Sequence, residues 1–336
     1  MENEKFYDIF KTEKERFVNK RISELARDKC TESQIEEYFS SDKFISDYFQ
    51  NCDRFTSDMV SNYINDSFIK DTTTKEAKEH FLNHINDIYG DSFLLFDLYI
   101  NLLTDICDEY YELSNEECVN SDSKEVAVLF KIFNGVAIRT TREILCLLEN
   151  GFPHGAVARW RTLYEIWIIM EYIARHDNVM AKKYIKHNNP CNNYSWAKSD
   201  KVIPKHRKYS FEDLQTYVNS ELDKTRLEHK SDGNTYADWI EEYRISNQML
   251  HISSTGIFGY WDKRQDNKQI YIDGSAVGFL KPASNALGCL YNINRLAFSV
   301  FDGEYNNLLL LLLRKLSDET MKSFDYADKY SSTPNE

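Results

Sequence analysis

The stretch that decides the fold is residues 125–155, EVAVLFKIFNGVAIRTTREILCLLENGFPHG. Apolar side chains return every third or fourth position from Val126 to Leu148, the spacing of a helix with one buried face. Gly151 then stops it, because glycine alone adopts the left-handed backbone of a helix terminus without steric cost. Gly151-Phe152-Pro153-His154-Gly155 is a tight link, and a second helix is expected from about Ala156 to Asp177. Two long helices on so short a link pack antiparallel, so residues 125–177 read as a helical hairpin.

Working outward, the rest of the chain repeats this grammar. Only 11 Gly and 5 Pro occur in 336 residues, too few for the turns of a sheet-rich protein. The fold class expected is all-α, a multi-helix bundle. Toward the N-terminus, Thr31-x-x-Gln34 and Thr73-x-x-Glu76 have capping-box spacing. Phe81, Ile85 and Ile88 follow at helical spacing, Gly90 reads as a stop, and a longer helix is expected over Ser92–Tyr111. Toward the C-terminus, helices are expected after Ser210 and over about Tyr236–Ile252, Ala283–Phe301 and Tyr305–Phe324. The six leucines Leu308–Leu313 read as buried helix. Ile257–Trp261 and Gln269–Ile272 are the one place for a small β-hairpin.

Charge divides the chain. Residues 1–120 carry 27 acids and 13 bases, residues 178–210 carry eight bases and one acid, and the whole stands at −13. The polar stretch Ser114–Lys124 marks the expected boundary between an acidic N-terminal helical region, 1–120, and a helical domain, 121–336, with a basic insert at 178–210. The acidic whole excludes a general nucleic-acid coat, but a local basic field attracts phosphates. Lys198, Lys201, Lys205, Arg207 and Lys208, with Trp196 among them, have the composition of a single-stranded RNA contact: cations for phosphates and an aromatic plane for a base. The same bases also suit docking on the acidic N-terminal region.

Seven cysteines without a C-x-x-C pair fit a reducing compartment. The charged start Met1-Glu2-Asn3-Glu4-Lys5 opens no apolar leader, and no apolar run approaches the ~20 residues of a membrane span. A cytoplasmic location without membrane attachment is expected. His80 and His84 have zinc-chelating spacing beside Glu76, but no third ligand accompanies them, so neither metal nor cofactor is expected.

The segment with most chemistry runs from Trp239 to His251. On a helix, Arg244, Asn247, Gln248 and His251 share one face, and Trp239, Tyr243 and Leu250 lie opposite. A guanidinium neutralises a phosphate, and an imidazole titrates near neutral pH and moves a proton. Arg161 and Glu165, four apart on the second helix of the hairpin, form an ion pair or, facing inward, meet Arg244 or His251 and hold the imidazole.

The spacing from Arg244 to His251 resembles the Arg-x4–6-His motif of HEPN-type ribonucleases, with Ile245 where that family often has a polar residue. Leu145-Cys-Leu-Leu148, Gly151, Ala156, Arg161, Glu165, Tyr243, Ser246 and His251 are together similar to an uncharacterised bacterial helical family of HEPN-like character, over about residues 125–300. The resemblance implies a HEPN-like domain and a metal-independent endoribonuclease, a toxin or phage-defence effector. In it Arg244 stabilises the phosphate, His251 is general acid and base, and Asn247 orients them. Gln248, Arg161 and Glu165 lend support, RNA is the partner, and a homodimer completes the site. The alternative is a non-catalytic helical binding or sensor module using the same groove.

Overall fold

The computed structural model describes residues 6–113, 124–187, 194–197, 209–229, 236–250, 275, 278–300 and 306–331. Among these the chain is all-α: helices, one 3₁₀ turn and no strand. The expected hairpin at 257–272 lies outside the described residues. The helices are α1 (Phe6–Arg27), α2 (Glu32–Phe39), α3 (Asp42–Leu113), α4 (Lys124–Glu149), α5 (Pro153–Ala174), α6 (Asp177–Lys186), α7 (Phe211–His229), α8 (Tyr236–Leu250), α9 (Leu280–Ser299) and α10 (Asn306–Ser331). No described helix is long and apolar enough to cross a membrane.

Two compact units divide the chain between Glu79 and His80, inside α3, rather than at the polar stretch near residue 120. The reason is the apolar stripe Ile85, Tyr89, Phe93, Phe96, Ile100 and Leu103, all buried in one core with α4, α5 and α9. The first unit is α1, α2 and the beginning of α3. Its centre is Phe17, whose ring lies 6.2 Å from Phe44 and 5.6 Å from Tyr48. Arg21 ties it together by donating to Glu24 and Asp47, each at 2.8 Å. The capping box at Thr31 and Gln34 is present. The second expected box is not a helix start, because α3 runs through Thr73 without a break.

Gly90 does not stop α3 either. A helix-interior glycine costs about 1 kcal/mol relative to alanine. Ile85, Tyr89, Phe93 and Phe96 stay in phase across it, and burying each such side chain is worth about 1.5–3 kcal/mol. Packing therefore outweighs propensity.

In the second unit α5 is the centre. Trp160, Leu163, Tyr164, Trp167, Ile168, Met170 and Ile173 are all fully buried, and α4, α6, α7, α8 and α9 surround it. The α4–α5 link turns at Gly151 as expected but is shorter than expected, because α5 begins at Pro153 and takes His154 and Gly155 into its first turn. Gly151 has φ +78°, Gly151 N–H donates to Leu148 O at 2.8 Å and Phe152 N–H donates to Leu147 O at 2.7 Å. These two bonds are a Schellman termination. A side chain here is excluded twice, by the backbone and by the Phe81 ring, which lies 2.8 Å from where a Cβ would stand. α5 runs back along α4, with Arg159 pairing Glu143 at 2.5 Å.

A small polar cluster lies within this core. Asn134 Nδ2 of α4 donates to Asn294 Oδ1 of α9 at 3.0 Å and contacts Cys107 Sγ of α3 at 3.1 Å. Asn294 Nδ2 donates to Leu290 O. On α10 the leucine run does not go under as a block. Leu313 is buried, but Leu308, Leu311 and Leu312 are exposed. Successive helical residues turn by about 100°, so six leucines in a row span more than any one buried face.

Candidate functional site

The candidate site is built on α8, held against α5 by its inward face. Trp239, Tyr243 and Ser246 recur at the four- and three-residue steps that line one side of a helix. The Trp239 ring meets Trp167 edge-on at 5.4 Å and fits over Gly288 of α9, where an added Cβ would approach it to 2.8 Å. The Tyr243 ring lies 5.0 Å from that of Tyr164 and 5.2 Å from that of Phe211. Ser246 is buried, and its hydroxyl donates to Tyr243 O at 2.7 Å.

The outward face carries Arg244, Ile245 and Gln248, all exposed. Arg244 is 67% exposed and donates to Glu241 at 3.0 Å, one turn back on the same helix. Asn247 is half-buried, and its Oδ1 is buried without a hydrogen-bond partner. His251 lies outside the described residues, as do Lys198, Lys201, Lys205, Arg207 and Lys208.

Arg161 and Glu165 do form the i,i+4 ion pair, at 3.5 Å. They also reach α8, and the described residue they meet there is Tyr243, not Arg244. Arg161 Nη2 donates to the Tyr243 hydroxyl at 3.1 Å, and that hydroxyl donates to Glu165 Oε1 at 2.7 Å. The guanidinium also sits 5.0 Å from the centre of the Tyr243 ring, a cation–π contact. Burial pushes the Tyr243 phenol up to about 12, with Arg161 holding it down and Glu165 pushing it up. At neutral pH it is therefore a neutral donor, not a base. Burial pushes the neighbouring Tyr194 phenol up as well, with Glu165 and Tyr243 adding to it.

Sequence reasoning placed Tyr243 on the apolar face and missed its hydroxyl as the hub between α5 and α8. The available signal was its residue type, since a buried tyrosine needs a partner for its O–H. The triad is half-open, with Arg161 and Glu165 side chains 26% and 34% exposed. Arg161 Nε, however, is buried without a partner.

Trp196 occupies a different place from the one its composition suggested. It is buried in a 3₁₀ turn, Ser195–Ala197, and packs edge-on against Tyr172 at 5.7 Å and Tyr184 at 4.9 Å. A ring enclosed in this way has no free face for a base, and it packs the Ser195–Ala197 turn onto α5 and α6 instead.

Residues 132–269 match a family described as a family of unknown function, DUF5677. The matched span holds most of α4, all of α5 and α8, and so the Arg161–Glu165–Tyr243 triad together with Arg244 and His251. No curated protein and no solved structure matches the chain.

Proposed function

We propose that this chain is a metal-independent endoribonuclease of HEPN-like character, a toxin or phage-defence effector in its biological setting. The observation that carries the proposal is the division of α8. Tyr243 and Ser246 fix the helix inward, which leaves the Arg244 guanidinium in solvent, where among the described residues it pairs with the exposed carboxylate of Glu241. Such a surface pair is worth little and exchanges readily for a phosphate. In the proposed reaction Arg244 carries the charge that develops on the phosphate. His251, seven residues on, takes the proton of the ribose 2′-hydroxyl as the 2′-oxygen attacks phosphorus, and an imidazole acting as acid gives a proton to the leaving 5′-oxygen, which leaves a cyclic phosphate. Asn247 orients the pair, Gln248 lines the same face, and the basic segment from Lys198 to Lys208 draws in RNA. A second copy supplies the second imidazole, so that base and acid act at once.

The test is cleavage of RNA by the purified full-length protein in excess chelator. His251→Ala is expected to lose about 10²–10⁴ of the rate, the usual worth of a positioned acid or base. Arg244→Ala is expected to lose a similar amount without change in unfolding temperature, because its side chain is exposed. Arg244→Lys recovers only part, since a point charge does not replace a fork of donors. Undiminished cleavage by His251→Ala sinks the proposal.

The second reading, a non-catalytic binding module, is favoured by one observation. The unpaired Arg161 Nε and Asn247 Oδ1 are a spare donor and a spare acceptor at the α5–α8 seam. RNA or ligand binding without cleavage, lost in Arg161→Ala and indifferent to His251→Ala, selects this reading.

A further inference from the structure

Away from α8, the helix α4 is apolar on two sides. One side, from Val126 to Leu148, is buried in the core. The other faces outward: Val128 is 49% exposed, Ile132 56% and Val136 44%, four residues apart on one helical row. Gly135 is exposed beside them, and a Cβ added there would meet nothing within 4 Å. The row is therefore low enough for another helix to approach closely. A helix that is apolar nearly all round belongs between two layers, and no described residue supplies the second layer here.

Charge flanks this row unequally. On one side lies α3, placed there by the Asp97–Arg142 pair at 3.5 Å and by Cys107 against Asn134 at 3.1 Å. From Ile85 to Leu113, α3 has no Lys, Arg or His. Asp105 and Asp108 are exposed there, and Asp108 follows by seven residues, nearly two turns, the Asn101 that Arg142 reaches. On the other side lies α6, placed by the Lys182–Glu125 pair at 3.2 Å and by Phe133 edge-on to Tyr184 at 5.3 Å. It exposes Lys182, Lys183 and Lys186. At about 100° per residue, Arg142 and Phe133 point to opposite sides of the Ile132 row, so acids border it on one side and lysines on the other.

We infer that this face of α3, α4 and α6 docks on the same face of a second copy, about a two-fold axis running along α4. That operation lays the two apolar rows together, Ile132 on Ile132, and brings the acids of each α3 to the α6 lysines of the other copy. The face is thus complementary to itself in both apolar surface and charge. An anionic membrane fits less well, because it would repel the carboxylates of α3 that share the face with the lysines. The inference does not rest on the nuclease reading, since neither Arg244 nor His251 takes part in the contact.

The test is sedimentation equilibrium of the full-length protein over a range of concentrations, and a monomer–dimer equilibrium is expected. Ile132→Asp should weaken the dimer about thirtyfold or more, the worth of a residue at the centre of an interface. Its circular dichroism and unfolding temperature should not change, because the side chain it replaces is exposed. One chain carrying Asp105→Lys and Asp108→Lys, and another carrying Lys183→Glu and Lys186→Glu, should each self-associate about tenfold more weakly, through like charges brought together. Mixed, the two should recover the affinity as a heterodimer. His251→Ala, whatever it does to cleavage, should leave the dimer intact. A monomer at every concentration overturns the inference. So does a dimer indifferent to Ile132→Asp, which would place the contact elsewhere. Charge-reversed chains that fail to associate on mixing overturn it too, because the two-fold pairing of α3 with α6 requires that they do.

Discussion

The second unit contains two polar clusters built in opposite ways. Asn134, Asn294 and Cys107 lie wholly inside, where neutral amides and a thiol meet one another and a backbone carbonyl. Arg161, Glu165 and Tyr243 lie at the α5–α8 seam, with two charges half in water and one phenol between them. The interior cluster joins α3, α4 and α9, and water has no access to replace a partner that is lost. Among the described residues the seam cluster joins α5 and α8, and water can replace what is removed. A polar group placed for structure and one placed for recognition differ in this: how much the fold suffers when the group goes.

The largest expected effect is alkaline and strikes both clusters. Burial holds Tyr164 and Tyr243 at about 12, and pushes Tyr99, beside Cys107, up as well. In an unfolded chain these phenols ionise near 10. Between pH 10 and 12 the folded chain therefore keeps protons that the unfolded chain has released. Their contribution to stability is whole below pH 10 and is lost as pH rises through 12, by about 1.4 kcal/mol per pH unit for each phenol. Phenolate absorption near 295 nm should rise together with loss of the helical circular dichroism signal. Full tyrosine ionisation near pH 10 with the helices intact would break this account.

Next in size is Asn294→Ala, which takes from the buried Asn134 amide its oxygen acceptor, leaves it only the weaker contact to Cys107 Sγ among the described residues, and opens a small cavity. A loss of about 2–4 kcal/mol is expected in urea unfolding. The smallest is Tyr243→Phe. It removes one hydroxyl from a seam that water reaches, and about 0.5–1.5 kcal/mol is expected. If Tyr243→Phe costs more than Asn294→Ala, the seam is structural and the contrast between the clusters fails. If it costs little but changes RNA binding, the contrast sharpens into a division of labour.

The sequence declared its helices where local chemistry and tertiary packing agree. Gly151 ends α4 and starts the α4–α5 link because the backbone reversal, the missing Cβ and the docking of Phe81 all require the same residue. Thr73 and Gly90 misled for the opposite reason, since each is a local signal inside a helix whose apolar stripe runs on. The leucine run misled because hydrophobicity gives the amount of apolar surface and not its direction. At the candidate site Arg244 and Gln248 outward and Trp239 and Tyr243 inward were legible, because helical periodicity sorts them, but Asn247, read on the outward face, lies at its edge with its Oδ1 buried. The partner of Arg161 and Glu165 was not legible. Their own spacing says only that they can pair, and the identity of the facing residue is a fact of how α8 docks on α5.

The closing of the core between α3 and α10 has a consequence for how the chain is made. Tyr89 donates to Asp328, 239 residues later, and Ser92 meets Ser323 across a similar span. A ribosome adding about 5–20 residues per second needs roughly 10–50 s to cover that interval. Throughout it, Tyr89, Phe93 and Phe96 have left the tunnel and lack the Phe324 ring that packs on them in the finished protein. The chain therefore carries an aromatic stripe without its α10 cover for most of its synthesis. Until α10 arrives, that side of the stripe is the kind of exposed apolar surface that makes a nascent chain prone to aggregate.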